Sequence, residues 1–122
     1  RAAISNNAMG DRDAAILQVR AELERVSAGT AIHYINASID NFTDISKKGH
    51  ALGEAVGFTY ALQFNGDKVI STAQFDEIMS LLGGGTAELD KLDFYKVTEA
   101  DLQSAKDKLA VIYNMENIKD QL

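Results

Sequence analysis

Apolar residues recur at spacings of three and four over a long stretch near the start of the chain, residues 11–42. They form two adjoining stripes, one made of Leu23, Val26, Thr30, His33 and Ala37 and the other of Ala28, Ile32, Ile35, Ile39 and Phe42. This spacing is typical of an amphipathic helix with a broad apolar face. The pattern therefore predicts one long helix, or two helices in line, with a length of about 48 Å.

Shorter apolar patterns follow, and capping residues and glycines mark where the corresponding helices begin and end. A second helix is predicted over residues 46–64, after a turn. Ser71 and Gln74 have the spacing of a capping box, which predicts that a third helix begins there and covers residues 72–82. The glycine triplet at 83–85 ends this third helix, because glycine disfavours the helical conformation.

A fourth helix is predicted over residues 99–117, with Thr98 and Asp101 as its capping pair. No segment has the strong two-residue periodicity of a strand. The sequence therefore predicts an all-α fold, a bundle of about four helices with a long first helix. The chain does not begin with Met, so we expect residues 1–122 to be either a single helical domain or the C-terminal half of a longer helical domain.

Composition and charge narrow the classes of function. The chain lacks proline, which fits a mostly helical fold, and lacks cysteine, which rules out disulfides and cysteine-based metal sites. The net charge of −6 argues against a nucleic-acid-binding surface, which needs a basic patch. No apolar run reaches the roughly 18 residues that a membrane span requires.

The second predicted helix carries glycines at a spacing of four, at Gly49, Gly53 and Gly57. Glycine inside a helix is unfavourable by about 1 kcal/mol relative to alanine, so a packing reason is expected. Small residues at this spacing let another helix approach closely. We therefore predict that these three glycines form a helix-packing face and that the long first helix is its neighbour.

His50 and Glu54 lie one helical turn apart beside these glycines, so their side chains share a face. Glu24 interrupts an apolar stripe of the first helix, and a buried carboxylate requires a partner. Inward carboxylates and histidines on facing helices form the metal sites of helix bundles. His50, Glu54 and Glu24 are therefore the candidate metal ligands, for iron, zinc or calcium.

Structural alternatives stand beside this metal site. His50 and Glu54 could form only a hydrogen-bonded pair, and Glu24 could form a surface ion pair with Arg20 or Arg25. Glu22 lies in line with Val26, Gly29 and His33 on the first helix. His33 is a further ligand candidate, although a lone histidine among apolar residues is more often a hydrogen-bonded core residue.

Three segments resemble a known bacterial domain of unknown function: "RDAAILQVRAELERVSAGTAIHYIN", "GHALGEAVGFTYALQFN" and "FYKVTEADLQSAKDKLAVIYN". The resemblance is to the second half of that domain, which occurs in exported proteins and lipoproteins and is associated with imelysin-type iron-regulated proteins. The imelysin family carries a Gly-x-His-x-x-Glu motif, and the segment from Gly49 to Glu54 departs from it in both spacings. The resemblance implies an all-helical exported domain, periplasmic or near the outer membrane, with a role in iron or haem acquisition.

Three functions follow from these observations. The first is a non-enzymatic binding module of the iron-acquisition apparatus, with a metal site at His50, Glu54 and Glu24. The second is a structural or assembly protein whose glycine-faced helix packs against a protein partner, the missing half of its own chain, or another copy in a homo-oligomer. The third, ranked last, is a metallohydrolase, which would need three ligands and an open coordination position.

Overall fold

The computed structural model describes residues 1–122, with the side chain of Ala3 excepted, and it confirms the all-α prediction. The described residues form a short helix and four longer ones: α1 (Ala2–Ser5), α2 (Met9–Asp40), α3 (Ile45–Ala61), α4 (Thr72–Leu82) and α5 (Glu99–Tyr113). Single 3₁₀ turns lie at Leu62–Phe64 and Leu89–Lys91, and no strand occurs within the described part. The four longer helices pack as a bundle.

The capping signals in the sequence locate two helix starts correctly. The Ser71 side chain accepts a hydrogen bond from the Gln74 backbone N–H, and the Gln74 side chain accepts one from the Ser71 backbone N–H, so α4 begins where it was predicted. The helix ends are less accurate. α5 ends at Tyr113 rather than near residue 117, because Asn114 adopts a left-handed conformation with φ of 55°.

The core lies between the second half of α2 and the other long helices. α2 and α3 run antiparallel because only four residues join them, and α5 packs against α2 while α4 contacts α3 and α5. Of the two apolar stripes predicted on α2, only the second faces this core. Its members Ala28, Ile32 and Ile35 are fully buried, as is the neighbouring Ala31.

The first half of α2 extends beyond the bundle. Every residue in 9–23 is exposed except Arg12, and the first buried residue of the helix is Glu24. The described residues of α3, α4 and α5 therefore cover only the second half of this 32-residue helix. Among the described residues, no helix is both long enough and apolar enough to cross a membrane.

We define the outer stripe of α2 as Ile16, Val19, Leu23 and Val26. These side chains are 42%, 58%, 62% and 65% exposed, respectively. They lie on the side of α2 away from Ala28 and Ile32, and Leu23 and Val26 belong to the first of the two predicted stripes, whereas Ile16 and Val19 were not predicted as part of it. α3 and α5 both pack against α2, and α1 lies near the start of the outer stripe, where Arg1 and Ile4 line one pocket with Ile16 and Val19.

Candidate functional site

Glu24 is a buried carboxylate, only 5% exposed, surrounded by neutral donors. Its Oε1 accepts hydrogen bonds from the Tyr113 hydroxyl at 2.7 Å and the Val69 backbone N–H at 2.9 Å. Its Oε2 accepts one from the Asn65 side-chain amide at 2.6 Å. The predicted surface ion pair is therefore wrong, and Arg20 instead pairs with Asp67 at 3.2 Å.

The Glu24 cluster connects three parts of the fold. Tyr113 ends α5, and Asn65 and Val69 belong to the loop between α3 and α4. Burial and the hydrogen bond to the Glu24 carboxylate raise the pKa of Tyr113 well above its ordinary value, so the phenol keeps its proton and donates. The hydrogen bonds of this cluster hold the loop that leads into α4 in place. The role of Glu24 in this cluster is therefore structural.

The structure does not bring the three predicted metal ligands together. His50 and Glu54 remain one turn apart on α3, the former exposed and the latter half-buried. Because α2 and α3 are antiparallel, His50 lies level with residue 35 of α2, and Glu24 is about 17 Å further along. Among the described residues, no group of three or more histidine and carboxylate side chains could hold a metal ion. Metal binding by His50 and Glu54 alone stays a prediction.

The predicted glycine face does not pack against α2, and this prediction is wrong. Gly53 and Gly57 are exposed, and a Cβ atom added at Gly49 or Gly57 would meet nothing within 4 Å. At Gly53 the nearest side-chain atom, from Phe94, would be 4.0 Å away. α3 contacts its neighbours through a different face, formed by Ala51, Leu52, Ala55, Val56 and Thr59.

Two lysines are buried, although the sequence did not predict it. Lys48, 5% exposed, donates a hydrogen bond of 3.0 Å to the Val97 carbonyl, and its ammonium lies 4.1 Å from the ring centroid of Phe42. Lys106 forms an ion pair of 2.6 Å with Asp120. Both lysines fix irregular segments onto helices. Sequence spacing gave no signal for them, because their partners are distant in the chain or exposed.

An apolar groove of about 570 Å³ runs along the outer side of α2. The C-terminal segment forms one wall with Met115, Ile118 and Leu122, and α2 forms the other. The polar groups at this groove are Glu22, Arg25, Thr30 and His33. Ligand pockets in proteins have volumes of about 300–1,000 Å³ and combine apolar walls with a few polar groups, so this groove has the dimensions of a binding site.

Four residues that the sequence places on one face of the first helix line this groove. Glu22, Val26, Gly29 and His33, which were in line on the predicted helix, all contribute to the α2 wall. The Met115 thioether packs over Gly29, where an added Cβ would lie 3.8 Å from the sulfur. His33 is exposed, so it is not the hydrogen-bonded core residue that a lone histidine usually is.

The family model described as "Domain of unknown function (DUF4856)" matches residues 1–116, which is nearly the whole chain. The chain belongs to the DUF4856 family. No curated protein and no solved structure matches it. The predicted kinship with an uncharacterised domain family is thus confirmed at the level of DUF4856. Kinship with imelysin and placement in the second half of a longer domain have no support from this match.

Proposed function

We propose that this DUF4856 domain is a non-enzymatic binding module whose binding surface is the outer side of α2. The observation that carries the proposal is the outer stripe, together with the groove that continues it from Val26 to His33. A contiguous apolar surface of this kind on a folded domain is typical of a binding site. The apolar residues exposed elsewhere, such as Val111, Tyr95 and Phe64, lie on other elements.

The chemistry of the groove supports an apolar ligand that carries a metal and a carboxylate that can pair with Arg25, although Glu22 also lines the groove. His33 offers an imidazole and Met115 a thioether, which are the two side chains that hold iron in many haem proteins. Arg25 at the same groove would pair with a carboxylate. Haem combines these features, so we keep haem acquisition as the proposed role, with haem as the bound cargo.

A titration of the protein with hemin, followed by absorbance, tests this proposal. We expect saturable binding with a shifted Soret band, weakened at least tenfold in His33→Ala. His50→Ala is the matched control, because His50 is the only other histidine of the chain and is exposed on α3. Absence of a saturable spectral shift, or equal weakening in both variants, would overturn the haem role.

Export, kinship with imelysin-type proteins and metal binding at His50 and Glu54 also stay proposals. Export to the periplasm or outer membrane, and kinship with imelysin-type proteins, rest on the resemblance of the three sequence segments. Binding of iron, zinc or calcium at His50 and Glu54 is tested by elemental analysis of the natively purified protein beside His50→Ala. Stoichiometric metal that is lost in the variant would support the site, and metal-free protein in both preparations would count against it.

Assembly with another protein chain is the second candidate function, and one observation favours it. The first half of α2 leaves apolar side chains exposed along its length, which is the usual sign of a helix that packs against a partner. The surface differs from the one predicted, because the contact would lie on α2 rather than on the glycines of α3.

A further inference from the structure

We propose that Asn65 is a site of spontaneous chemical modification, the loss of its side-chain amide nitrogen, and that Glu24 prevents this reaction while the chain is folded. Asn65 is the only asparagine of the chain that a glycine follows. The backbone nitrogen of Gly66 can attack the side-chain carbonyl carbon of Asn65, because glycine has no Cβ to hinder the approach. The proposal does not rest on the binding function of α2.

The reaction has two steps and consumes only water. In the first step a bond forms between the Gly66 nitrogen and Cγ of Asn65, and the bond from Cγ to Nδ2 breaks. The side-chain nitrogen leaves as ammonia with the proton of the Gly66 N–H, and a five-membered cyclic imide remains. In the second step one water molecule opens the imide at either carbonyl. Position 65 then holds aspartate or isoaspartate, and both carry a carboxylate where the amide was.

The folded loop holds Asn65 in a conformation that cannot close this ring. The imide requires a negative ψ at Asn65, because only then does Cβ of an L residue come close to eclipsing the next backbone nitrogen. Asn65 instead has a φ of −73° and a ψ of 124°. Its Nδ2 donates to Glu24 at 2.6 Å, and its Oδ1 accepts the backbone N–H of Asp67 at 3.2 Å. Both ends of the side-chain amide are therefore fixed.

Glu24 also fixes the chain on the far side of Gly66. Its Oε1 accepts hydrogen bonds from the backbone N–H groups of Val69 at 2.9 Å and Ile70 at 3.5 Å. Rotation about ψ of Asn65 moves the chain on one side of this bond relative to the other, so hydrogen bonds to the Glu24 carboxylate must break. The reaction therefore requires local opening of the loop, and its rate should follow the small population of open chains.

The product of the reaction does not fit the Glu24 cluster. Glu24 is only 5% exposed, and the amide of Asn65 is one of its donors. Aspartate at position 65 would place a second carboxylate where that amide now lies, 2.6 Å from Oε2 of Glu24. Two carboxylates this close cannot both be ionised without a large cost in free energy. A chain that reacts while its loop is open is thus changed permanently.

The structure offers a variant that hinders the chemistry and keeps the fold. Gly66 is exposed and is not among the glycines with a positive φ. A Cβ atom added at Gly66 would meet nothing within 4 Å. Gly66→Ala should therefore fold as the parent does, while its methyl group hinders the attack of the backbone nitrogen on Asn65.

Peptide mass spectrometry of the full chain, incubated in mildly alkaline buffer, measures the fraction of Asn65 converted. We expect slow conversion of the native chain, and conversion about tenfold or more faster in concentrated urea and in Glu24→Gln. Glu22→Gln, the same change at an exposed neighbour, should react at the rate of the parent. Equal rates in buffer and in urea would overturn the protection, and this comparison decides the question even if Glu24→Gln unfolds. Equal rates for the two glutamine variants would overturn the role of Glu24.

Two further variants test the reaction and its product. In urea, Gly66→Ala should lose the Asn65 amide much more slowly than the parent, and an equal rate would overturn the route through the imide. Asn65→Asp should lower the urea midpoint at neutral pH. Asn117→Asp, the same change at an exposed asparagine, should leave the midpoint nearly unchanged. Equal midpoints for these two variants would overturn the conclusion that the product does not fit the Glu24 cluster.

Discussion

The Tyr113 hydroxyl donates a hydrogen bond of 2.7 Å to the carboxylate of Glu24, linking the end of α5 to the middle of α2. Both residues are buried, and no positive side chain hydrogen-bonds to this carboxylate among the described residues. A buried charge is tolerated only where several donors replace its lost water. Here Asn65 and the backbone N–H groups of Val69 and Ile70 complete the set, so Glu24 holds the loop after α3 in place.

Replacing Glu24 with Gln should destabilise the fold by about 1–3 kcal/mol. The amide of Gln has one accepting oxygen, and its NH₂ group would face a donor, either Asn65 or the Tyr113 hydroxyl. At least one buried donor would then lack an acceptor. Unfolding in urea, followed by circular dichroism, measures the loss as a lower midpoint at unchanged slope.

Glu22→Gln is the control for this substitution. Glu22 lies two residues away on the same helix and is exposed, so the same chemical change there should alter the unfolding free energy by less than about 0.5 kcal/mol. Equal midpoints for the two variants would show that the Glu24 contacts contribute little to stability.

The Glu24–Tyr113 contact also predicts a loss of stability in alkali. Burial, then the hydrogen bond and charge of Glu24, raise the pKa of Tyr113 in the folded chain above its ordinary value of about 10. Between a pH of about 10 and the raised pKa of the folded chain, Tyr113 loses its phenolic proton in the unfolded chain but keeps it in the folded chain. The free energy of unfolding should therefore be fully present below about pH 10 and fall as the pH rises above it.

The Tyr113→Phe variant tests whether Tyr113 causes the loss of stability above about pH 10. The variant should be less stable than the parent at neutral pH, because Glu24 loses a donor, but its stability should fall less steeply above about pH 10. Urea unfolding at a series of pH values gives both quantities. A variant whose alkaline slope equals that of the parent would assign the effect to other groups.

The parts of the fold that depend only on residues close together in the sequence were predictable. The capping pairs at Ser71 and Thr98 and the apolar periodicity of α2 each depend on residues within a few positions, so the sequence shows them directly. The end of α5 at Tyr113 was missed, since the predicted helix extends to residue 117. The left-handed Asn114 stops the helix, and Met115 is buried after the chain has turned.

The site was less predictable, because it depends on which faces of the helices meet. Spacing placed Glu24 on an apolar stripe but left a surface ion pair open, because the partners of Glu24 lie 41 to 89 residues away. Spacing also placed Glu22 and His33 on one line of α2, and the structure shows a groove there. The three glycines were misassigned, since periodicity shows that they share a face but not whether that face is covered.

The Thr98–Asp101 capping box should stabilise α5 measurably. The Thr98 hydroxyl donates to Asp101 at 2.6 Å, and the backbone N–H of Asp101 donates to Thr98 at 3.1 Å. Thr98→Ala removes both bonds and should cost about 0.5–2 kcal/mol. Ser104→Ala, an exposed change in the same helix, should be nearly neutral in the same urea titration. A loss for Thr98→Ala no larger than that for Ser104→Ala would contradict the capping role.

The same box contributes a pH dependence on the acid side. The hydrogen bond from the Thr98 side chain, followed by the one from its backbone, lowers the pKa of Asp101 below its ordinary value of 3.8. This contribution to stability is therefore present above about pH 4 and is lost as the pH falls through the lowered pKa. Thr98→Ala should weaken the acid dependence, which urea midpoints between neutral pH and acid would show.

Gly57→Ala should stabilise the isolated chain by about 0.4–1 kcal/mol. Gly57 lies inside α3 with nothing within 4 Å of an added Cβ, so alanine gains helix propensity without a clash. Gly83→Ala is the contrasting variant, because its Cβ would collide with the carbonyl oxygens of Thr86 and Met79 and should destabilise the fold. Thermal unfolding of both variants measures the difference. Destabilisation by Gly57→Ala would contradict the open surroundings of Gly57 in the structure.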